Sequence, residues 1–253
     1  MRLTIITITY NAERFLERTL KSVQQQNLKD VEYLLIDGGS KDGTLALAKQ
    51  YQKVLSNVVS EPDKGIYDAM NKGMRLAKGQ YVWFMNAGDQ VFDNQTVERV
   101  IRTINTSQPD VVYGDSLLVD DQNVSVGLRS SFTPHALPSS LSWQDFDKGM
   151  VVCHQSFIVK KTIAPPYILE HFYSADVDWE IKCLKAAQTV AYINQPLSRY
   201  LTGGFSIKNL RKSLWDRFVI LSIHFGFGRT LWNHILILGR GIGKIVKSGG
   251  KYW

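Results

Sequence analysis

Cysteine is nearly missing from this chain: Cys153 and Cys183 are the only two in 253 residues. No disulfide framework is implied, and a reducing compartment is the expectation. No unbroken apolar run reaches the roughly 18 residues that a bilayer-crossing helix needs. No charged-then-apolar leader opens the sequence, which starts on the strand-like Leu3-Thr-Ile-Ile-Thr-Ile8. No Gly-x-Gly-x-x-Gly follows that strand. Thr9-Tyr-Asn-Ala-Glu13 stands there instead, which argues against a dinucleotide-dependent dehydrogenase. Internal repeats, low-complexity tracts and interdomain linkers are also missing. Acidic residues are scarce at one end: between Phe205 and Trp253, Asp216 stands alone against nine Lys and Arg.

That last scarcity organises the charge. The tail carries +8, and the total of +7 leaves −1 for the first 204 residues. A near-neutral body with a basic tail points to an anionic surface as partner. Hydrophobic residues make up 44% and charged residues 21%, ordinary values for a chain able to bury a sizeable core.

Apolar strands alternate with helices through the first half. Strands are expected at 3–8, Tyr33–Ile36, Asn57–Ser60 and Tyr81–Met85. Helices are expected from Ala12 to Gln26, from about Asp42, from Ile66 to Ala77 and from Asn94 to Thr106. This alternation predicts an α/β protein with a mostly parallel, Rossmann-like sheet, whose ligands bind at the carboxyl ends of the strands. The polar motifs sit at those ends: Thr9-Tyr-Asn11, Asp37, Glu61-Pro-Asp63 and Asn86-Ala-Gly-Asp89. Further on, strands are expected at 111–113, 116–119 and 151–159, and a helix from Val177 to Ala187. One continuous domain over 1–206, followed by a basic segment over 207–253, is the expected organisation.

Three stretches carry the chemistry. Asp37-Gly-Gly-Ser-Lys-Asp-Gly-Thr44 offers a carboxylate for a nucleobase imide or ribose hydroxyl, or else a plain strand-to-helix turn capped by Asp42. Ser60 to Gly73 places Asp63, Asp68 and Lys72 around a helix N-terminus, whose free N–H groups suit a phosphate-bearing ligand. Asn86 to Asp89 supplies one carboxylate. Mg²⁺ is commonly held by one or two carboxylates together with substrate phosphates and water; a bare β-turn is the alternative.

Together these motifs resemble family 2 inverting glycosyltransferases of the GT-A fold, and among them the small bacterial enzymes of the exopolysaccharide or colanic-acid type that build repeat units. The resemblance covers residues 1 to about 206. It implies a donor site of Thr9, Tyr10, Asn11, Asp37, Asp63, Asp68 and Asn86, with Asp89 binding Mg²⁺ or Mn²⁺. The family usually shows paired aspartates after the second strand; here the second is Gly38. The family's Asp-x-Asp first position is Asn86, and Met70 stands before Asn71 where an arginine is common.

The resemblance also implies that Asp176, in Ser174-Ala-Asp176, is the general base, with Asp178 as its rival and an N-cap role for Asp176 as the structural alternative. His154 and Gln155 are implied to line the acceptor site, with metal ligation or a buried core role as the alternatives for His154. Gly203-Gly-Phe-Ser206 resembles a glycine-bearing flap. Gln195-Pro-Leu-Ser-Arg199-Tyr200 departs from the Gln-x-x-Arg-Trp signature of processive synthases, so one-sugar transfer is expected.

The implied donor is UDP- or GDP-linked, and the implied acceptor is a saccharide on a polyprenyl diphosphate. Leu210, Leu214, Trp215, Phe218, Leu221 and Phe225 recur at helical spacing among basic residues, and Leu231-Trp232 and Ile235-Leu-Ile-Leu238 form a second patch. A basic amphipathic segment of this kind lies in the headgroup region of an anionic membrane, here the inner face of a bacterial cell membrane reached from the cytoplasm. The alternative is a pair of helices packed back on the domain. No nucleic-acid motif accompanies the charge. Two other functions remain open. A sugar-1-phosphate nucleotidyltransferase would need a glycine-rich basic loop after the first strand, which Thr9–Arg14 does not provide. A non-catalytic carbohydrate- or membrane-binding protein would bind ligand without turnover.

Overall fold

In the computed structural model, residues 1–133, 136–203 and 209–247 are described, with side chains as far as residue 237. Gly204 to Ser206 of the expected flap, Pro134, Lys208 and Lys251 lie outside the described residues. So do the side chains of Leu238, Arg240, Lys244 and Lys247.

The strands are β1 (Leu3–Thr9), β2 (Val31–Asp37), β3 (Asn57–Ser60), β4 (Tyr81–Phe84), β5 (Gln90–Val91), β6 (Val111–Val119), β7 (Ser125–Leu128), β8 (Phe157–Lys160) and β9 (Val190–Leu201). The helices are α1 (Glu13–Gln24), α2 (Thr44–Gln50), α3 (Ile66–Leu76), α4 (Thr96–Ser107), the single turn α5 (Arg129–Phe132), α6 (Ala175–Ala186), α7 (Leu210–Phe225) and α8 (Phe227–Lys247). They surround one nine-stranded sheet in the order β3-β2-β1-β4-β8-β6-β9-β5, with β7 on β6.

The first four strands in that order are parallel, as the alternation predicts. Beyond them the sheet is mixed: β8 runs antiparallel to β4 and β6, while β6 and β9 are parallel.

β1 shows why the sheet needs cover on both faces, since all seven of its residues are buried. With period-2 alternation, Leu3 and Ile5 join Leu16, Leu20 and Val23 of α1 and Val97, Val100 and Ile104 of α4 on one face. Ile6 and Ile8 join Met70 and Met74 of α3 and Val177 and Ile181 of α6 on the other. Each such fully buried aliphatic side chain contributes about 1.5–3 kcal/mol. Gly73 lets α3 lie close to this sheet, because a Cβ there would come within 2.6 Å of the Ile6 Cγ2 methyl.

Two expectations for the second half differ from the structure. The strand expected at 151–159 begins only at Phe157, because His154–Ser156 form one 3-10 turn. The Ser156 N–H closes that turn on the Cys153 carbonyl at 2.7 Å, and the Ser156 hydroxyl meets Ser116 and Ser198 at 2.7 and 2.8 Å. The two short strands at 111–113 and 116–119 are one strand, β6, with its register shifted on either side of Asp115. That irregularity also accommodates Pro196 within β9, as prolines inside sheets require.

Candidate active site

The ends of β1 and β2 are laced together by their loops. Asn11, in the left-handed region at φ 46°, accepts from the Lys41 N–H through Oδ1 at 2.9 Å, and its own N–H donates to the Ser40 hydroxyl at 2.8 Å. Asp42 accepts from the Glu13 N–H and the Gly43 N–H donates to Glu13. Asp37 lies beneath, fully buried. It accepts from the Gly39 N–H at 3.0 Å, the Ser40 N–H at 2.9 Å and the Ser60 hydroxyl at 2.6 Å, and also from the Ser40 hydroxyl. Four protein donors therefore occupy this carboxylate, and its work in the structure is to shape the loop.

The group above it is Asp63. A Cβ placed on Gly38 would fall 2.4 Å from Asp63 Oδ2 and 3.3 Å from the Tyr10 ring. The space of a second strand-end aspartate is thus filled by a carboxylate from the loop after β3, with the exposed Tyr10 ring beside it. Asp63 Oδ1 accepts from the Gly65 N–H at 2.9 Å. Gly65, at φ +116°, turns the chain into α3 in a conformation that a side chain resists. Asp68 accepts from the Lys64 N–H at 3.0 Å, and Lys72 fastens the same loop through the Pro62 carbonyl at 2.7 Å and Glu61 at 3.2 Å.

After β4, Asn86 to Asp89 form a turn whose Gly88 sits at φ +105°. The Asp89 carboxylate is buried and accepts from the Leu201 N–H at 2.9 Å. Burial pushes its carboxyl up to about 7, against the pull of the Leu201 N–H, the Arg18 charge and a hydrogen bond with the Gln155 side chain. Among the described residues, Asn86 Oδ1 and Thr9 Oγ1 are buried without a hydrogen-bond partner. No group of three or more His, Cys, Asp or Glu side chains there could hold a metal by itself. One carboxylate with one free amide oxygen nevertheless fits a hard cation whose remaining ligands are phosphate and water.

The start of α6 carries the next acids. Asp176 is half-buried and accepts from the Tyr67 hydroxyl of α3 at 3.2 Å and from the Val177 N–H at 3.0 Å. Burial raises its carboxyl, while the Arg217 guanidinium and the Tyr67 hydroxyl draw it back. Asp178 is placed differently. Its oxygens meet the His224 ring and the Lys182 ammonium, each at 2.8 Å. Although burial pushes the Asp178 carboxyl up, those two partners hold it below the usual range.

His154 is a core residue. Its Nε2 is 2.7 Å from the Tyr167 hydroxyl, and its ring packs against Phe84 and Trp179. Burial pushes its ring down to about 3. Gln155 stands beside Asp89 and so belongs to that corner of the site.

The sequence reading missed Tyr67 as a partner of Asp176. It also missed Asn71, which brackets the Tyr167 backbone from both sides at 2.9 and 2.8 Å. Asn71 thereby holds the loop that carries Tyr167, which stacks on Tyr67 and Trp179. Packing of the tail helices on the domain stood as the alternative, but the particular contacts of α7 with α6 were not legible; the partners lie about 40 residues apart, and no local pattern announces them.

The family model for glycosyl transferase family 2 matches residues 4–163. A PGL/p-HBAD biosynthesis glycosyltransferase of Mycobacterium bovis is 29% identical over 208 residues, covering 78% of this chain and 75% of that one. S. aureus TarS 1–349 superposes with a TM-score of 0.70 at 17% identity, over 92% of this chain and 72% of that one. Glucosyl-3-phosphoglycerate synthase of Mycobacterium tuberculosis, solved with Mn²⁺, UDP and glucosyl-3-phosphoglycerate, gives a TM-score of 0.60 at 16% identity, over 87% and 79%. The fold is GT-A, and the chain belongs to glycosyl transferase family 2.

Proposed function

We propose that this glycosyltransferase transfers one sugar, with inversion, from a nucleotide donor to a lipid-linked saccharide in bacterial surface polysaccharide synthesis. The observation that carries the reading is a pair of carboxylates that both act on the Tyr200 side chain: Asp89 at the β4 end and Asp176 at the start of α6. The acceptor hydroxyl oxygen attacks the anomeric carbon and gives its proton to the Asp176 carboxylate. The bond from that carbon to the donor's diphosphate breaks, and the nucleoside diphosphate leaves. Asp89 would hold a divalent cation, Mg²⁺ or Mn²⁺, which when bound would supply positive charge to the departing diphosphate, and Asn86 orients the donor. Asp63, with Tyr10 for stacking, receives the nucleoside. Thr9, Asn11, Asp37 and Asp68 shape the loops around it. UDP in the structure of the M. tuberculosis synthase supports a uridine donor, and the Mn²⁺ there supports the cation.

The outer faces of α7 and α8 support a peripheral membrane role for 207–253. On α8, Thr230 and Asn233 face inward, while Leu231, Trp232 and Ile235 are exposed, Trp232 at 62%. Leu214 and Trp215 of α7 are exposed as well, Trp215 at 69%, beside the exposed Arg211 and Lys212. Among the described residues no helix is long and apolar enough to cross a membrane. Exposed basic residues and aromatic rings suit the headgroup layer, which is where a polyprenyl diphosphate presents its sugar.

Calorimetric titration of UDP and of GDP, with and without Mn²⁺, tests the donor site. One nucleotide binds only with metal, and Asp89→Ala abolishes that dependence. A folded protein that binds neither nucleotide with Mn²⁺ present overturns the reading.

A further inference from the structure

The helix that the sequence sets apart as an appendage is built into the start of α6. The Asp216 carboxylate of α7 accepts from His171 Nδ1 at 2.8 Å and from the backbone N–H groups of Tyr173 and Ser174 at 2.9 and 3.0 Å. Ser174, the N-cap of α6, makes no side-chain cap bond of its own. Its hydroxyl lies 3.2 Å from the Ser213 carbonyl and 3.1 Å from the Ser213 hydroxyl instead. The amides that lead into α6 are thus satisfied by an acid from another helix, a role that local capping side chains usually fill. Further along the same seam, Ile220 and Leu221 are fully buried and His224 holds Asp178. Asp176 sits between these two attachments.

Next to Asp216 on α7 stands Arg217, half-buried. Its charge draws the Asp176 carboxyl down against burial, and its Nε is buried with no hydrogen-bond partner. The other groups that face Asp176 are the Tyr67 hydroxyl from α3, Tyr167 from the loop before α6, Tyr200 from β9 and Glu180 one helical turn on. Asp216 faces the same corner through Tyr67. Glu180 is fully buried with neither oxygen partnered, and burial holds its carboxyl well above the usual range. Arg217 is the cation that acts on Asp176 itself, while Arg129 acts on Glu180 and Tyr200.

We propose that α7 is a working part of the catalytic centre, with Asp216 fixing where α6 begins and Arg217 acting as the positioning residue for the Asp176 carboxylate. The proposal rests on Asp176 being the base. A half-buried carboxylate beside phenols and a second acid takes up a proton more readily unless a cation opposes it, and a protonated carboxyl cannot accept the proton of an acceptor hydroxyl. The outward face of α7 carries Leu214 and Trp215, so one helix joins the proposed membrane surface to the base.

Carboxyl-carbon NMR on the full chain tests this, with the Asp176 resonance assigned by its loss in Asp176→Asn. In Arg217→Gln the Asp176 titration midpoint moves to higher pH, and Arg217→Lys brings it back toward the wild-type value. An unmoved midpoint in a folded Arg217→Gln protein overturns the role of Arg217. Asp216→Asn gives the second reading, by hydrogen exchange: the amides of residues 173–176 lose protection at least tenfold. Wild-type protection there overturns the role of Asp216. The base assignment fails separately, through retained transfer by Asp176→Asn, whatever the midpoint does.

Discussion

The loop after β2 and the turn after β4 each bury an aspartate at the cleft, and they do so in opposite ways. Asp37 is surrounded by four protein donors and has no capacity left for a ligand. Asp89 has the Leu201 N–H and Gln155, and burial alone has moved its carboxyl to about 7. The same contrast recurs within one turn of α6. Asp178 is held by the His224 ring and the Lys182 ammonium, whereas Asp176 has a phenol and its own helix backbone. A satisfied acid maintains structure, and an under-partnered acid at a cleft is held ready for a ligand or a proton.

The largest expected effect breaks this contrast inside α6. Asp176→Asn lowers transfer by about 10³-fold, the scale of general-base catalysis, and leaves donor affinity within a few-fold. Asp178→Asn does the reverse. It removes the acid from a buried ion pair, which costs about 3 kcal/mol of stability, and it leaves turnover per folded molecule nearly unchanged. Urea unfolding and single-turnover rates on the same two proteins decide the matter. Exchanged outcomes would make Asp178 the base.

The donor side gives the next comparison. Asp37→Ala strips the partner from two N–H groups and two hydroxyls and costs about 3 kcal/mol of stability. Asp63→Ala, with one backbone donor to lose, changes stability by less than about 1 kcal/mol. It weakens Mn²⁺-dependent UDP binding about tenfold, the worth of one hydrogen bond to a charged group. A UDP affinity that follows Asp37 and ignores Asp63 would return nucleoside recognition to the β2 end.

The difference between these acids was only half legible in the sequence. Asp37, Asp63, Asn86 and Asp89 could be placed at strand ends, because each lies beside an apolar run and a glycine or proline turn. Their saturation could not be read, since the donors to Asp37 include Ser60 from the next strand and the partner of Gly38 is Asp63 from another loop. The parallel half of the sheet was legible by alternation. β9 was not, because Asn194, Gln195 and Pro196 interrupt its pattern where the register shifts. The uneven charge of the tail was plain, yet Asp216, its lone acid, proved the most informative residue there through contacts 42 to 45 positions away.

His154 sharpens the comparison from the basic side, as a titratable group that is deeply buried yet built into structure. Its Nδ1 lacks a partner, its Nε2 meets Tyr167, and burial holds its ring down at about 3. The unfolded chain takes up a proton as pH falls below about 6.5, while the folded state does so only near 3. Stability is therefore lost as pH drops through that window, by about 1.4 kcal/mol between pH 7.5 and 5.5. His154→Gln removes this titration. The other four histidines remain in both proteins, so the difference between the two pH slopes isolates His154 even if the lost ring packing lowers absolute stability. Parallel slopes from urea unfolding at the two pH values would mean that His154 becomes protonated in the folded protein. That would make it a group facing the cleft, with the acceptor, and not a core residue held by Tyr167.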